Sequence, residues 1–270
     1  MRQLFIPTVI IALLTAALFR STYLFQKSAL RRLALIILAA VLAVPALLFS
    51  SNYILLIPNA EWFIDFHALT AVEITSGLIG AIFGIICASS KLRPNKLNRP
   101  VVILSAICCL GLLFAPFAKQ IIFSIQFPTL RNEWKNGVCM QTSGNTCVIA
   151  STATVMYMLG KKITEPELAR KAGVTYEGIE TWYYIRALRR LGFEPQFGHL
   201  NSLKNTPVPS VVGVKYTSRG HAIAVLSRDE KGIEIGDPMF GRRLYKWSNL
   251  PKYYEPNGMC ITLCQTSHSH

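Results

Sequence analysis

The sequence predicts two parts of different class: an N-terminal all-α transmembrane bundle of four helices, then a C-terminal α+β domain. Three observations predict this. Apolar residues make up 51% of the 270-residue chain, and the mean hydropathy of +0.36 exceeds that of an ordinary soluble protein. The apolar weight lies before residue 128: up to Ala118 the acids are Glu61, Asp65 and Glu73, whereas the remainder has normal charge density. Beyond that boundary, helical spacing of apolar residues gives way to strand alternation, and helices followed by an antiparallel sheet make an α+β domain. The length accommodates one membrane unit and one domain. The boundaries read as 1–120 for the bundle, 121–134 for a linker, 135–264 for the second domain and 265–270 for a tail ending His268-Ser269-His270.

The apolar stretches at about 4–19, 33–49, 68–89 and 101–118 approach the ~20 residues that a bilayer core requires of a helix. The first could also be read as a signal segment, but it lacks a small-x-small cleavage site. Arg20, Lys27, Arg31 and Arg32 fill the loop after the first stretch, and Lys91, Arg93, Lys96 and Arg99 that after the third. The loop between the second and third carries Glu61 and Asp65 and no basic residue. By the positive-inside rule the basic loops face the cytoplasm and the second domain lies outside. The expectation is a multi-pass protein of a bacterial inner or plasma membrane with an extracytoplasmic domain. Trp62 and Phe63 are expected as outer interface anchors, and Glu73 as a polar group near the outer end of the third span. Ser76, Gly80, Gly84 and Ala88 recur every four residues, a small-residue stripe expected to pack within the bundle rather than to dimerise.

In the second domain, Val148, Ala150, Ala153, Val155, Met156 and Leu159 predict a buried helix from Cys147 to Leu159, closed by Gly160. A short helix follows Thr164 as N-cap and ends at Gly173; a third runs over about 179–191 before Gly192. Strands are expected at 193–198, 209–216, 221–228, 231–236, 242–247 and 259–264, with a turn at Asp229-Glu230-Lys231-Gly232.

Four residues of this domain fall into a catalytic order: Gln141, Cys147, His221 and Asp237. Cys147 sits where the polar turn Gln141–Thr146 enters a helix, near the positive end of its dipole, which favours a thiolate nucleophile. His221 opens a strand after Gly220, and Asp237 ends the adjoining strand of a hairpin, so the carboxylate can hold the far nitrogen of the ring. Gln141 can offer its side-chain amide beside the Cys147 N–H as a second oxyanion donor. Singly, each residue has a plainer reading: a buried small hydrophobe, a core histidine, an Asp-Pro turn, a helix cap. Together and in this order they point to thiol chemistry.

The segment Gln141–Cys147, the strand Gly220-His221-Ala222-Ile223-Ala224-Val225 and the Gly236-Asp237-Pro238 corner resemble the peptidase C39 family, the papain-like group that processes bacteriocin leaders. The resemblance covers roughly residues 135–250. It implies a papain-like cysteine endopeptidase, with relatives cutting after a double glycine; Cys147 would be the nucleophile, His221 the base, Asp237 its orienter and Gln141 the oxyanion donor. Two features depart from the family. Thr146 and Val148 flank the cysteine where Asp and Gly are usual, and Val148 narrows the adjacent subsite. The chain also has no Walker-type loop, so ATP is not an expected partner.

The expected partners are a peptide or protein substrate and the lipid bilayer. No cofactor and no metal are expected, because Cys139 and Cys147 lack CxxC spacing. The net charge of +14 does not argue for nucleic acid. Arg189-Arg190 and Arg242-Arg243 are not interleaved with aromatic residues, so no nucleic-acid partner is expected. Two other readings stay open: a non-catalytic peptide-binding module, and a papain-like acyl or amide transferase. A Cys139–Cys147 disulfide is a further reading, as a redox switch.

Overall fold

The computed structural model describes residues 2–53, 61–92, 98–123, 129–216 and 220–266; Arg93, Lys96 and the His268–His270 tail lie outside them. The chain divides into two compact units, Met1–Ile122 and Phe123–His270.

The first unit contains α1 (Arg2–Phe25), α2 (Ala29–Tyr53), the short α3 (Glu61–Ala68), a 3-10 segment Val72–Ile79, α4 (Gly80–Leu92) and α5 (Asn98–Ile122). Four spans are long and apolar enough to cross a membrane: Leu4–Phe25, Ala29–Ser51, Val72–Leu92 and Asn98–Ile122. The first, second and fourth outrun the apolar windows read from the sequence, because each helix continues into its polar flanks; the third is shifted, beginning at Val72 rather than 68 and ending at Leu92. The third span differs in kind, opening as a 3-10 segment before becoming α-helical at Gly80.

Packing against α1 accounts for that span's glycines. A Cβ at Gly77 would lie 2.5 Å from the Thr8 carbonyl oxygen, at Gly80 2.0 Å from that of Ala12, and at Gly84 2.2 Å from that of Ala16. Thr15 Oγ1 donates to the Gly77 carbonyl at 3.2 Å. The small-residue stripe is therefore consumed inside the unit, with Ser76, Gly80, Gly84 and Ala88 all buried. The matched pairs ascend together, so α1 and the third span run parallel. Their C-terminal ends, with Lys27 and Lys91 beyond or within the last turn, share one end of the bundle.

Gly80→Ala is expected to force the two helices apart and to destabilise this unit by about 1–3 kcal/mol, the usual cost of overpacking. Thermal unfolding in detergent checks it, and an unchanged midpoint would refute the contact.

The expected interface pair Trp62 and Phe63 is split. Trp62 is exposed, whereas Phe63 is buried with its ring centroid 4.1 Å from that of His67. Consecutive residues of a helix point about 100° apart, so one helix cannot present both to the same surroundings.

The second unit opens with a hairpin of β1 (Trp134–Lys135) and β2 (Val138–Cys139). Its two-residue turn uses Asn136 at φ 50° and Gly137 at φ 76°, the left-handed pair such turns require. Helices α6 (Cys147–Met158), α7 (Glu165–Ala172) and α8 (Thr181–Arg190) follow. Thr164 caps α7 by accepting from the Glu167 N–H at 3.2 Å, and Gly173 ends it at φ 62°.

Six strands complete the unit: β3 (Phe193–Leu200), β4 (Ser210–Val214), β5 (His221–Arg228), β6 (Gly232–Asp237), β7 (Gly241–Lys246) and β8 (Pro256–Gln265). They form one antiparallel sheet in the order β3-β8-β4-β5-β6-β7. Alternation divides β5 between two cores. Ala222, Ala224 and Leu226 pack with Ile149, Ala150 and Ala153 of α6, while Ile223 and Val225 pack with Ile233, Ile235 and Tyr254. Ser151 Oγ donates to the Ala222 carbonyl at 3.0 Å, fixing α6 one turn beyond Cys147 to the strand that begins with His221. α6 is buried from Ile149 to Met156, and the hydroxyls of Ser151, Thr152 and Thr154 within that stretch are all hydrogen-bonded.

Candidate active site

Cys147 is the first residue of α6, and its side chain is half-buried. Its N–H is among the first-turn donors that have no acceptor within a helix. Thr146 at the N-cap makes no capping hydrogen bond; its hydroxyl turns back to the Ser143 carbonyl at 3.0 Å. The helix end is thus left open on the side of the sulfur.

His221 begins β5 directly after Gly220, whose φ of 76° belongs to the left-handed region that favours glycine. The pairing of Ala224 with Gly236 sets β6 so that its last residue, Asp237, reaches the imidazole. His221 Nε2 lies 3.0 Å from Asp237 Oδ1, and the Cys147 side chain is near enough to the ring to help raise its pKa. With Nε2 engaged by the carboxylate, Nδ1 is the ring nitrogen left for another partner.

Asp237 is fully buried, and each oxygen is used. Oδ1 also accepts from the Met239 N–H at 2.8 Å, and Oδ2 accepts from the Tyr254 hydroxyl at 2.8 Å. Burial opposes its charge, yet the hydrogen bonds from His221 and Met239 outweigh it and hold the carboxyl below its usual range. Burial likewise opposes the imidazolium, but the Asp237 and Cys147 hydrogen bonds push His221 up to about 9. Burial first, and then the Asp237 charge, raise Tyr254, so it remains a donor.

The sign of the pH dependence follows by linkage. His221 is raised above its unfolded value of ~6.5, so its stabilisation is complete below that and disappears as pH rises through about 9. Asp237 is depressed below its unfolded value of ~3.9, so its stabilisation is complete above that and is lost as pH falls through the folded value. From these two groups, thermal midpoints are expected to plateau between about pH 4 and 6.5 and to decline on the alkaline side. His221→Ala should flatten the alkaline decline; its persistence in that variant would contradict the assignment.

Gln141 lies on the loop that leads into α6. Its backbone N–H donates to the Pro238 carbonyl at 2.9 Å, tying this loop to the corner after Asp237. Its Nε2 gives one hydrogen to the Ser143 carbonyl at 3.0 Å and retains a second. Thus the sequence-predicted Cys147, His221 and Asp237 come together side chain to side chain, and Gln141 joins them through the main chain.

Two residues of this neighbourhood escaped the sequence reading. Tyr254 follows Asp237 by 17 positions in a 3-10 turn, with no spacing signal to mark it. Glu165 reads in sequence only as the start of a helix. Its buried carboxylate instead accepts from the Thr142 N–H at 2.8 Å and the Thr142 hydroxyl at 2.6 Å, clamping the residue next to Gln141.

Cys139 and Cys147 are both free thiols, so the disulfide considered from the sequence is absent. Burial, with the Glu165 charge nearby, pushes the Cys139 thiol up to about 12, which keeps it unreactive. Cys260 and Cys264 share β8 and do not pair. Among the described residues, no three His, Cys, Asp or Glu side chains are grouped to hold a metal.

The second unit is similar to several known proteins. Two archaeal proteins, both described as uncharacterized, align with 124 residues of the chain, 46% of its length, and the alignment covers 87% of each. The one from Methanothermobacter thermautotrophicus is 29% identical, and the one from Methanothermobacter marburgensis is 31% identical. Among solved structures, a double glycine motif protease from an AMS/PCAT transporter, in complex with the leader peptide, is 20% identical. It covers 54% of this chain and 99% of its own, with a TM-score of 0.42. The peptidase domain of Streptococcus ComA, a bi-functional ABC transporter, is 19% identical over 48% of this chain and 98% of its own, with a TM-score of 0.41. Residues 135–268 match the family model described as Peptidase C39 family, and through this cysteine-peptidase-like domain the chain belongs to that family.

Proposed function

We propose that the protein is a membrane-anchored cysteine endopeptidase. The observation that carries the proposal is the row Cys147–His221–Asp237, in which a fully buried carboxylate fixes one ring nitrogen and leaves the other to a half-buried sulfur. In this reading Cys147 Sγ attacks the scissile carbonyl carbon and its proton passes to His221 Nδ1. Asp237 holds the imidazolium by its Nε2–H. The oxyanion accepts from the Cys147 N–H and from the remaining hydrogen of Gln141 Nε2. His221 then protonates the departing amine, leaving a thioester on Cys147, and water activated by the same ring releases the acid. Membership of the C39 family supports a peptide substrate, and a solved neighbour described as a double glycine motif protease supports cleavage after Gly-Gly.

Anchoring rests on the four apolar spans, and sidedness on the charges at their ends. The parallel packing of α1 and α4 supports the orientation, since it gathers Lys27 and Lys91 at one end, away from Glu73 at the start of the third span. The peptidase domain would then lie outside the membrane it is anchored in.

Labelling with an impermeant thiol-reactive peptide probe, in intact and in opened cells, tests chemistry and sidedness together. Labelling of Cys147 in intact cells is expected. Labelling only after opening would reverse the orientation, and an unreactive Cys147 would leave a peptide-binding module.

A further inference from the structure

We propose that the cavity between the ends of α1, α2 and α4 binds the phosphate of an anionic phospholipid; this rests on the membrane anchoring proposed above. The cavity measures about 420 Å³ and brings Lys27, Arg32, Tyr23 and Ser89 together with the apolar Leu33 and Ile36. Arg32 is held in place before any ligand arrives. Its Nε donates to the Gln26 carbonyl at 2.8 Å, and its guanidinium lies 5.4 Å from the centre of the Tyr23 ring. Both contacts leave the terminal nitrogens unused, and no acceptor for them occurs among the described residues. A guanidinium fixed by its stem, with its outer edge open, suits two oxygens of a phosphate.

Among the described residues, no acid is paired with that charge. Glu61, Asp65 and Glu73 precede Gly77, which packs beside Thr8. Fifteen residues of helix separate Thr8 from Tyr23, or roughly 22 Å at the helical rise, which puts Glu73 toward the other end of the bundle from Arg32. The first turn of α2 likewise contains no acidic residue, so its open N–H groups add to the positive potential. Leu33 and Ile36 continue from the cavity along α2, one helical turn apart, and form a wall suited to an acyl chain. A polar mouth with an apolar wall at headgroup depth fits a lipid rather than a free anion. Basic pockets between membrane helices recognise such headgroups by this combination.

The test uses the full chain in neutral detergent, with phosphatidylglycerol, phosphatidylcholine or inorganic phosphate added separately, read by native mass spectrometry and thermal midpoint. Phosphatidylglycerol is expected to be retained and to raise the midpoint, and phosphatidylcholine is not. Arg32→Ala and Lys27→Ala should each weaken retention about fivefold or more, while Arg99→Ala, at a residue that does not line the cavity, should leave it unchanged. If Arg32→Ala fails to fold, Lys27→Ala carries the test, since Lys27 lies in the link between α1 and α2. Equal loss in Arg99→Ala would overturn the site in favour of diffuse attraction. An equal effect of inorganic phosphate alone would overturn the lipid assignment, and indifference between the two lipids would overturn both. Alkaline extraction of native membranes separates the premises: release of the protein sinks the anchor, whereas retention without lipid discrimination sinks only the site.

Discussion

Cys147→Ala is expected to reduce peptide cleavage by at least about 10⁴-fold, because no other group on the proposed path can form the thioester. The fold should survive. Cys147 occupies the open first turn of α6 rather than the packed body of that helix, and alanine is a better helix former than cysteine. A thermal midpoint close to that of the parent, combined with lost turnover, is therefore the expected result. Peptide mapping after alkylation supplies an internal control: Cys264 is exposed and should label in both proteins, while Cys139 and Cys260 are buried and should label in neither without denaturant. Residual turnover within tenfold of the parent would remove Cys147 from the reaction.

Substitution at Asp237 is expected to have the second largest effect, and here chemistry and stability fall together. Asp237→Asn keeps an oxygen for His221 but replaces an acceptor by an amide that faces the Tyr254 hydroxyl, and it removes the charge that holds the imidazolium. Turnover should drop by about 10²–10⁴-fold. Asp237→Ala leaves the Tyr254 hydroxyl, the Met239 N–H and the His221 ring without their acceptor in a site closed to solvent. Each stranded donor costs about 1–3 kcal/mol, so a loss of several kcal/mol is expected by chemical denaturation. Tyr254→Phe separates the two contributions. It removes one donor and keeps the charge, so it should cost about 1 kcal/mol of stability and shift the alkaline limb of the pH–rate profile while leaving cleavage measurable. If Asp237→Asn turned over like the parent, the carboxylate would be only a structural acceptor.

Much of the domain was legible because its signals are local. Cys147–Leu159 has the composition of a buried helix, Thr164 and Gly173 bracket a short one, and strand alternation locates β5 and β6 with His221 and Asp237 at their ends. A two-residue periodicity fixes which side chains share a face, and antiparallel pairing then brings the two ends together. The hairpin of Trp134–Cys139 was missed although Asn136-Gly137 is a strong turn signal, because two-residue strands fall below any periodic pattern. The 3-10 opening of the third span was missed for another reason. Within that segment Gly77 packs against the Thr8 carbonyl of α1, and a single stretch of sequence does not announce its neighbour. Tyr254 and Glu165 belong to that second class. Their roles exist only once the sheet has placed Asp237 above the 3-10 turn, and once α7 has brought its first residue against Thr142.

The hydrogen bond from the Gln141 N–H to the Pro238 carbonyl joins the loop before the nucleophile to the corner after the carboxylate. The approach to the nucleophile and the turn that follows the acid are thereby fastened to each other. Deuterium uptake at that single amide is a direct gauge of how firmly the fastening is held, and a bound peptide should slow it.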